Sequence, residues 1–88
     1  MADKIHLRLI TTDGKSLEKM INYISIPTPT GPVGILAGHL PMLCAVANGT
    51  VHCRFGQNQD MHISVSSGTA RVVDNETTLL LNGTFEIK

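Results

Sequence analysis

The chain has 88 residues, seven basic and seven acidic side chains, and no formal net charge. That length holds one domain, residues 1–88, and the charge balance excludes a nucleic-acid backbone as partner, which needs a basic excess. Tyr23, Phe55 and Phe85 are the three aromatics, too few for a base-stacking platform.

Short alternating segments run through the sequence, with no apolar pattern of helical period sustained over three turns. Ile5, Leu7 and Leu9 alternate with His6 and Arg8, which predicts a half-buried first strand. A two-residue turn at Asp13-Gly14 would set Leu9 opposite Glu18 and Arg8 opposite Lys19. One extra residue, a glycine bulge, gives Leu9–Leu17 and Arg8–Glu18 and is the better pairing. Ile24 and Ile26 alternate with Tyr23 and Ser25 in a further strand.

Residues 20–53 carry no Asp, Glu, Lys or Arg and hold all four prolines. A membrane span fails there, because the apolar run 33–47 is broken by Gly34, Gly38, His39 and Pro41, and a spanning helix needs about 20 mostly apolar residues. The Met-Ala-Asp-Lys start has no apolar signal core, so a soluble, cytoplasmic-type chain is expected. An uncharged surface of this kind suits docking, although buried strand explains the window at least as well.

Beyond the window, Val51, Cys53 and Phe55 alternate with His52 and Arg54, and Met61, Ile63 and Val65 with His62, Ser64 and Ser66. Asn48-Gly49 predicts a tight turn pairing Val46 with Val51 and Cys44 with Cys53. The next hairpin is expected in the register Val51–Val65, Cys53–Ile63 and Phe55–Met61, which keeps one face apolar. Residues 77–81 read as a buried strand and 84–87 as a short last one, with turn signals at Gly56–Gln59, Asp74-Asn75 and Asn82-Gly83. Many short strands at this spacing indicate an all-β sandwich or barrel.

The chemistry-bearing residues are sparse. Cys44 and Cys53, directly opposite, would lie within disulfide reach, but nothing indicates secretion and two reduced thiols are expected. Cys44, Cys53 and His62 recur every nine residues, yet the preferred register turns His62 away from both thiols, and no fourth ligand or CxxC spacing exists. No zinc is expected. The carboxylates sit mainly near turns and ends, and His6, His39, His52 and His62 read as strand-surface or structural residues. Gly31, Gly34 and Gly38 lack the Lys-Ser/Thr of a phosphate loop. These residues describe a binding or structural module without catalytic residues or cofactor.

One stretch is more particular: Thr30-Gly31-Pro32-Val33-Gly34-Ile35-Leu36-Ala37-Gly38-His39-Leu40-Pro41-Met42-Leu43. Its glycines permit left-handed backbone or close approach, and Pro41 pins the exit into the next strand. Ile35 and Leu36 are expected to plug the core, leaving Gly38-His39 at an exposed corner.

The run resembles the G-x-x-G-I-x-x-G-H-x-P-x-L signature of the N-terminal domain of the epsilon subunit of F-type ATP synthases. The likeness continues in Lys4-Ile5-His6-Leu7, Thr12-Asp13-Gly14-Lys15, Tyr23-Ile24-Ser25-Ile26-Pro27, Asn48-Gly49-Thr50-Val51, Ser66-Ser67-Gly68, Arg71-Val72 and Thr78-Leu79-Leu80. It implies a flattened β-sandwich of about ten short strands in two sheets, without a C-terminal helical domain. It further implies a non-catalytic subunit of the rotating central stalk that binds the gamma subunit and the polar loops of the proton-driven c-ring. Such a subunit couples rotation to ATP synthesis at the cytoplasmic face of the bacterial plasma membrane, peripheral and held there through the complex. Contact with the ring is expected from Gly31, Pro32, Gly34, Gly38 and His39.

Two departures bear on that contact. The family commonly has an acidic residue beside the first signature glycine, where this chain has Thr30 and Pro32, and Ala37 replaces a proline. The family also continues into a two-helix hairpin that inhibits ATP hydrolysis or, in some members, binds ATP. This sequence ends at Lys88, and its untagged start favours a naturally short form over a truncated one. ATP binding is therefore not expected, and the chain should restore coupling without a hairpin brake. The alternative is a free-standing β-sandwich module that binds a small ligand or another protein.

Overall fold

A computed structural model describes residues 4–57 and 59–88. The first three residues, and Asn58 within the expected 56–59 turn, lie outside the described set. The described chain is all-β, with strands β1 (Ile5–Thr11), β2 (Ser16–Ile21), β3 (Tyr23–Thr28), β4 (Gly31–Leu36), β5 (Met42–Val46), β6 (Gly49–Phe55), β7 (Gln59–Val65), β8 (Gly68–Val73), β9 (Glu76–Leu81) and β10 (Phe85–Ile87). They form two five-stranded sheets, ordered β2-β1-β9-β8-β5 and β10-β7-β6-β3-β4. The expected flattened sandwich of ten strands is the observed architecture.

Alternation decides which side chains enter the core. From the first sheet Ile5, Leu7, Leu9, Ile21, Val46, Ala70, Val72, Leu79 and Leu81 are buried. They meet Ile24, Ile26, Ile35, Val51, Cys53, Ile63, Val65 and Phe85 from the second. Burial of this apolar set stabilises by about 25 cal/mol per Å² removed from water, and nothing else in so small a chain supplies a comparable term. Thr77 enters the same interior fully buried, and its Oγ1 has no hydrogen-bond partner among the described residues. An unsatisfied buried hydroxyl costs about 1–3 kcal/mol. Thr77→Val, of similar shape and favoured in strands, is expected to raise the urea midpoint by the equivalent of about 1 kcal/mol.

The first hairpin takes the bulged register, with Leu9 opposite Leu17 and Arg8 opposite Glu18. Gly14 at φ +94° makes the bulge possible. Thr11 Oγ1 donates to the Asp13 carboxylate, and the Lys15 N–H donates to Thr11 Oγ1 at 2.9 Å. The Thr11 hydroxyl first, and next the Lys15 N–H, which also reaches Asp13 Oδ1 at 3.3 Å, hold the Asp13 carboxyl below its ordinary value of 3.8. A lowered folded-state pKa means that the stabilisation is complete above the ordinary value and is lost as pH falls through the lowered one. Asp13→Asn is therefore expected to flatten the acid limb of stability below about pH 4, read as urea midpoint against pH.

Three expectations are corrected. Asn48-Gly49 does not close a hairpin: β5 pairs with β8, placing Cys44 opposite Ala70, while β6 lies between β3 and β7. The turn instead carries the chain from one sheet to the other, so Val46 and Cys44 lie in the opposite sheet from Val51 and Cys53. The crossing is fixed by the Ala47 N–H donating to the Pro27 carbonyl at 2.9 Å and by Pro27 packing on Gly49. Both thiols are free.

The β6–β7 register differs by two residues from the expected one, pairing Val51 with Ile63, Cys53 with Met61 and Phe55 with Gln59. A shift of two keeps every side chain on its face. Gly56 at φ +63° permits the shorter loop, and the shift brings Arg54 Nε to 3.2 Å from Asp60 Oδ1. It also stacks His52 on His62, centroids 4.6 Å apart, on the outer surface and away from the thiols. Third, of the pair expected to plug the core only Ile35 does so, because Leu36 falls on the outward phase of β4 and is 62% exposed.

Candidate functional site

The signature stretch occupies β4, the following loop and the start of β5. β4 and β5 are the edge strands of their respective sheets, so the stretch passes from one sheet edge to the other. Gly31 and Pro32 sit at one end of β4, beside the turn through Pro29 and Thr30, and Gly38 and His39 lie beyond its other end. A strand rises about 3.3 Å per residue, so these two pairs are held about 15–20 Å apart. The five candidate residues therefore do not form one cluster.

At the first end Gly31 adopts φ +121°, which favours glycine, and the Thr28 hydroxyl donates to its carbonyl. Pro32 is exposed and pairs with Pro27 across the ladder; an edge position tolerates a residue without N–H. The surface here is small and polar, contributed by Thr28, Thr30, Gly31 and Pro32.

Gly34, between the ends, has a different task. A Cβ built there would lie 2.9 Å from Tyr23 Oη and 3.1 Å from its ring, so the missing side chain seats the tyrosine across β4. Its role in the structure is packing.

At the second end the chain turns at residues 36–39, with the His39 N–H donating to the Leu36 carbonyl at 3.2 Å. Gly38 takes φ +85°, and its N–H donates to Asn75 Oδ1 at 2.6 Å. His39 Nδ1 lies 2.7 Å from the Leu40 carbonyl. A carbonyl only accepts, so Nδ1 carries a proton and, in the neutral ring, Nε2 is left as an acceptor. Ala37 packs inward, while Leu40 is 78% and Leu43 72% exposed. Leu40, exposed Pro41 and Leu43 lie at the start of β5, beside a shallow groove lined by Pro41, Met42, Leu43, Arg71 and Val73, whereas Leu36 points outward from the opposite sheet. Two exposed leucines within residues 40–43, beside an apolar groove, mark an interaction surface more than leucines scattered singly.

The sequence pattern missed Leu40 and Leu43 as surface residues. The signal was present in phase: Leu43 alternates with inward-facing Met42 and Cys44. The remaining polar groups offer surface chemistry. His6 bonds Glu18 at 2.9 Å, and His52 Nε2 lies 3.5 Å from Asp60. Hydrogen bonding from Arg54 holds the Asp60 carboxyl below its ordinary value. Burial pushes the Cys53 thiol up to about 12, so it remains protonated and unreactive at neutral pH. Among the described residues no group of three His, Cys, Asp or Glu is placed to hold a metal ion, and no helix is long and apolar enough to cross a membrane.

Residues 4–86 match the family described as "ATP synthase, Delta/Epsilon chain, beta-sandwich domain". The chain is 38% identical over 80 residues to the ATP synthase epsilon chain of Maridesulfovibrio salexigens, covering 91% of this chain and 56% of that one. It is 36% identical over 78 residues to the epsilon chain of Nostoc punctiforme, covering 88% and 57%. The chain thus spans under three fifths of the length of these relatives. Among solved structures, a chain of the Euglena gracilis mitochondrial ATP synthase OSCP/F1/c-ring assembly superposes with TM-score 0.83 at 24% identity, over 92% of this chain and 52% of that chain. A chain of the Tetrahymena thermophila mitochondrial central stalk/c-ring gives 0.73 at 17% identity, over 94% and 66%. At these identities the structural likeness speaks for the fold.

Proposed function

Because the chain belongs to the ATP synthase Delta/Epsilon chain β-sandwich family, we propose that it is a non-catalytic coupling subunit of the central stalk. In this reading it bridges the gamma subunit and the c-ring of a proton-translocating ATP synthase, peripheral at the cytoplasmic face of the bacterial membrane. One observation carries the reading: β4 holds two exposed regions of different chemistry at its opposite ends. A bridging subunit needs two separate contacts, and a single cluster would serve only one.

The polar turn with Gly31 and Pro32 suits the polar loops of the ring. The apolar corner formed by Leu40, Pro41 and Leu43 suits a partner that stays packed against it, the gamma subunit, with Gly38 and His39 in the loop beside it. Of the five expected ring-contact residues, this reading leaves Gly31 and Pro32 facing the ring. In the same reading Gly38 and His39 face gamma, and Gly34 packs against Tyr23.

The test is co-sedimentation of the 88-residue chain with a gamma–c-ring assembly. Stoichiometric binding is expected, weakened about tenfold by His39→Ala, which removes a group at the contact centre. If the wild-type chain sediments with neither gamma nor ring, the reading is wrong and a free-standing binding module takes its place.

A further inference from the structure

The loop carrying Gly38 and His39, between β4 and β5, is tied to the turn between β8 and β9 by a side chain that neither signature nor periodicity singled out. Asp74 at φ +51° and Asn75 at φ +63° form the left-handed, two-residue turn between β8 and β9. The Asn75 carbonyl accepts the His6 N–H of β1 at 2.9 Å, which fixes its backbone to the first sheet. Its side-chain oxygen accepts the Gly38 N–H at 2.6 Å, and Gly38 follows β4 of the second sheet. The bonds of His39 to the Leu36 and Leu40 carbonyls are local and shape the loop without anchoring it elsewhere.

We infer that Asn75 is a positioning residue for the docking loop: its amide oxygen sets the orientation in which Gly38, His39 and Leu40 meet their partner. The inference rests on reading this corner as the gamma-facing surface. Asn75 combines two properties. Asparagine is among the few non-glycine residues that enter the left-handed region readily, and from there its short side chain presents an acceptor.

That combination makes the test clean. Asn75→Gly keeps the left-handed turn and removes the acceptor, and Asn75→Asp keeps both. Two readouts are needed on the 88-residue chain: hydrogen exchange of the Gly38 amide by NMR, and affinity for a gamma–c-ring assembly. In Asn75→Gly, Gly38 exchange is expected to speed up and affinity to fall about 3- to 10-fold, the range for one lost hydrogen bond. Asn75→Asp is expected to stay within about twofold of wild type on both, because the acceptor remains. Combined with His39→Ala, the glycine change should cost less than it does alone, since both act through one loop.

Wild-type affinity in Asn75→Gly, despite faster Gly38 exchange, would overturn the inference and leave the functional reading standing. Full additivity with His39→Ala, or an Asp variant as weak as the Gly variant, would overturn it too. Failure of the wild-type chain itself to bind would instead bring down the functional reading, and the role of Asn75 with it.

Discussion

Gly68→Ala is expected to destabilise the sandwich more than any other single methyl addition at its glycines. A Cβ built on Gly68 lies 2.0 Å from the Leu80 carbonyl oxygen and 2.9 Å from both the Leu80 carbonyl carbon and Leu81 Cα. All three atoms are backbone, and they belong to β9, which sits between β1 and β8 in its sheet. No rotamer change relieves the clash; the strands have to part. Overpacking costs about 1–3 kcal/mol where side chains give way, so about 3 kcal/mol or more is expected here. For a domain of this size that lowers Tm by about 12 °C or more, a large share of a marginal stability. Gly34→Ala is the internal contrast, because its added Cβ meets the phenol end of Tyr23, which can swing away. Its expected cost is about 1 kcal/mol. Thermal melts of the two variants side by side check the ranking, and a Gly68→Ala melt equal to that of Gly34→Ala would refute it.

The double change Leu40→Asp, Leu43→Asp is expected to abolish binding to the gamma-containing assembly with little effect on the melt. The two side chains are 78% and 72% exposed, so the folded chain loses little by their removal. In a complex each buried leucine contributes about 1.5–3 kcal/mol, and together they are worth about 100-fold or more in affinity. A carboxylate buried in their place adds a desolvation penalty in the same direction. Met20→Asp is the control, since Met20 is 52% exposed but lies on β2, the edge strand opposite β5 in the same sheet. It is expected to bind as wild type does. Titration of the assembly with each variant checks both, and equal affinities throughout would contradict the assignment of the corner.

Which parts were legible in the sequence follows from what a period of two encodes. Alternation tells which face a side chain takes, so the inward sets of β1, β3, β6 and β7 could be read directly. Leu9–Leu17 and Arg8–Glu18 were readable because one short turn fixes both strands of a hairpin. Alternation does not say which sheet a strand joins. Val46 and Val51 face inward whether they are neighbours in one sheet or lie in opposite sheets, and the choice depends on the distant Pro27 carbonyl. The parallel pairing of β1 with β9 has no local turn to announce it. At the site, Gly31 and Gly38 signalled their left-handed backbone, whereas the exposure of Leu40 depends on where a loop leaves a strand. Asn75 was visible only as a turn residue; its reach to Gly38 joins two loops 37 residues apart in sequence.

The central claim is that β4 presents two different partners with its two ends, and cross-linking from single positions tests it most directly. A photoreactive residue is placed at Leu40, at Thr30 or at Ile87 of the chain, and each version is assembled with gamma and the c-ring. Ile87 is 55% exposed on β10, the edge strand farthest from β4 in its sheet, and so reports on an unrelated surface. The expected products are gamma from position 40, a ring subunit from position 30, and neither from position 87. Cross-links from position 87 in place of position 40, or one and the same partner from positions 30 and 40, would contradict the claim.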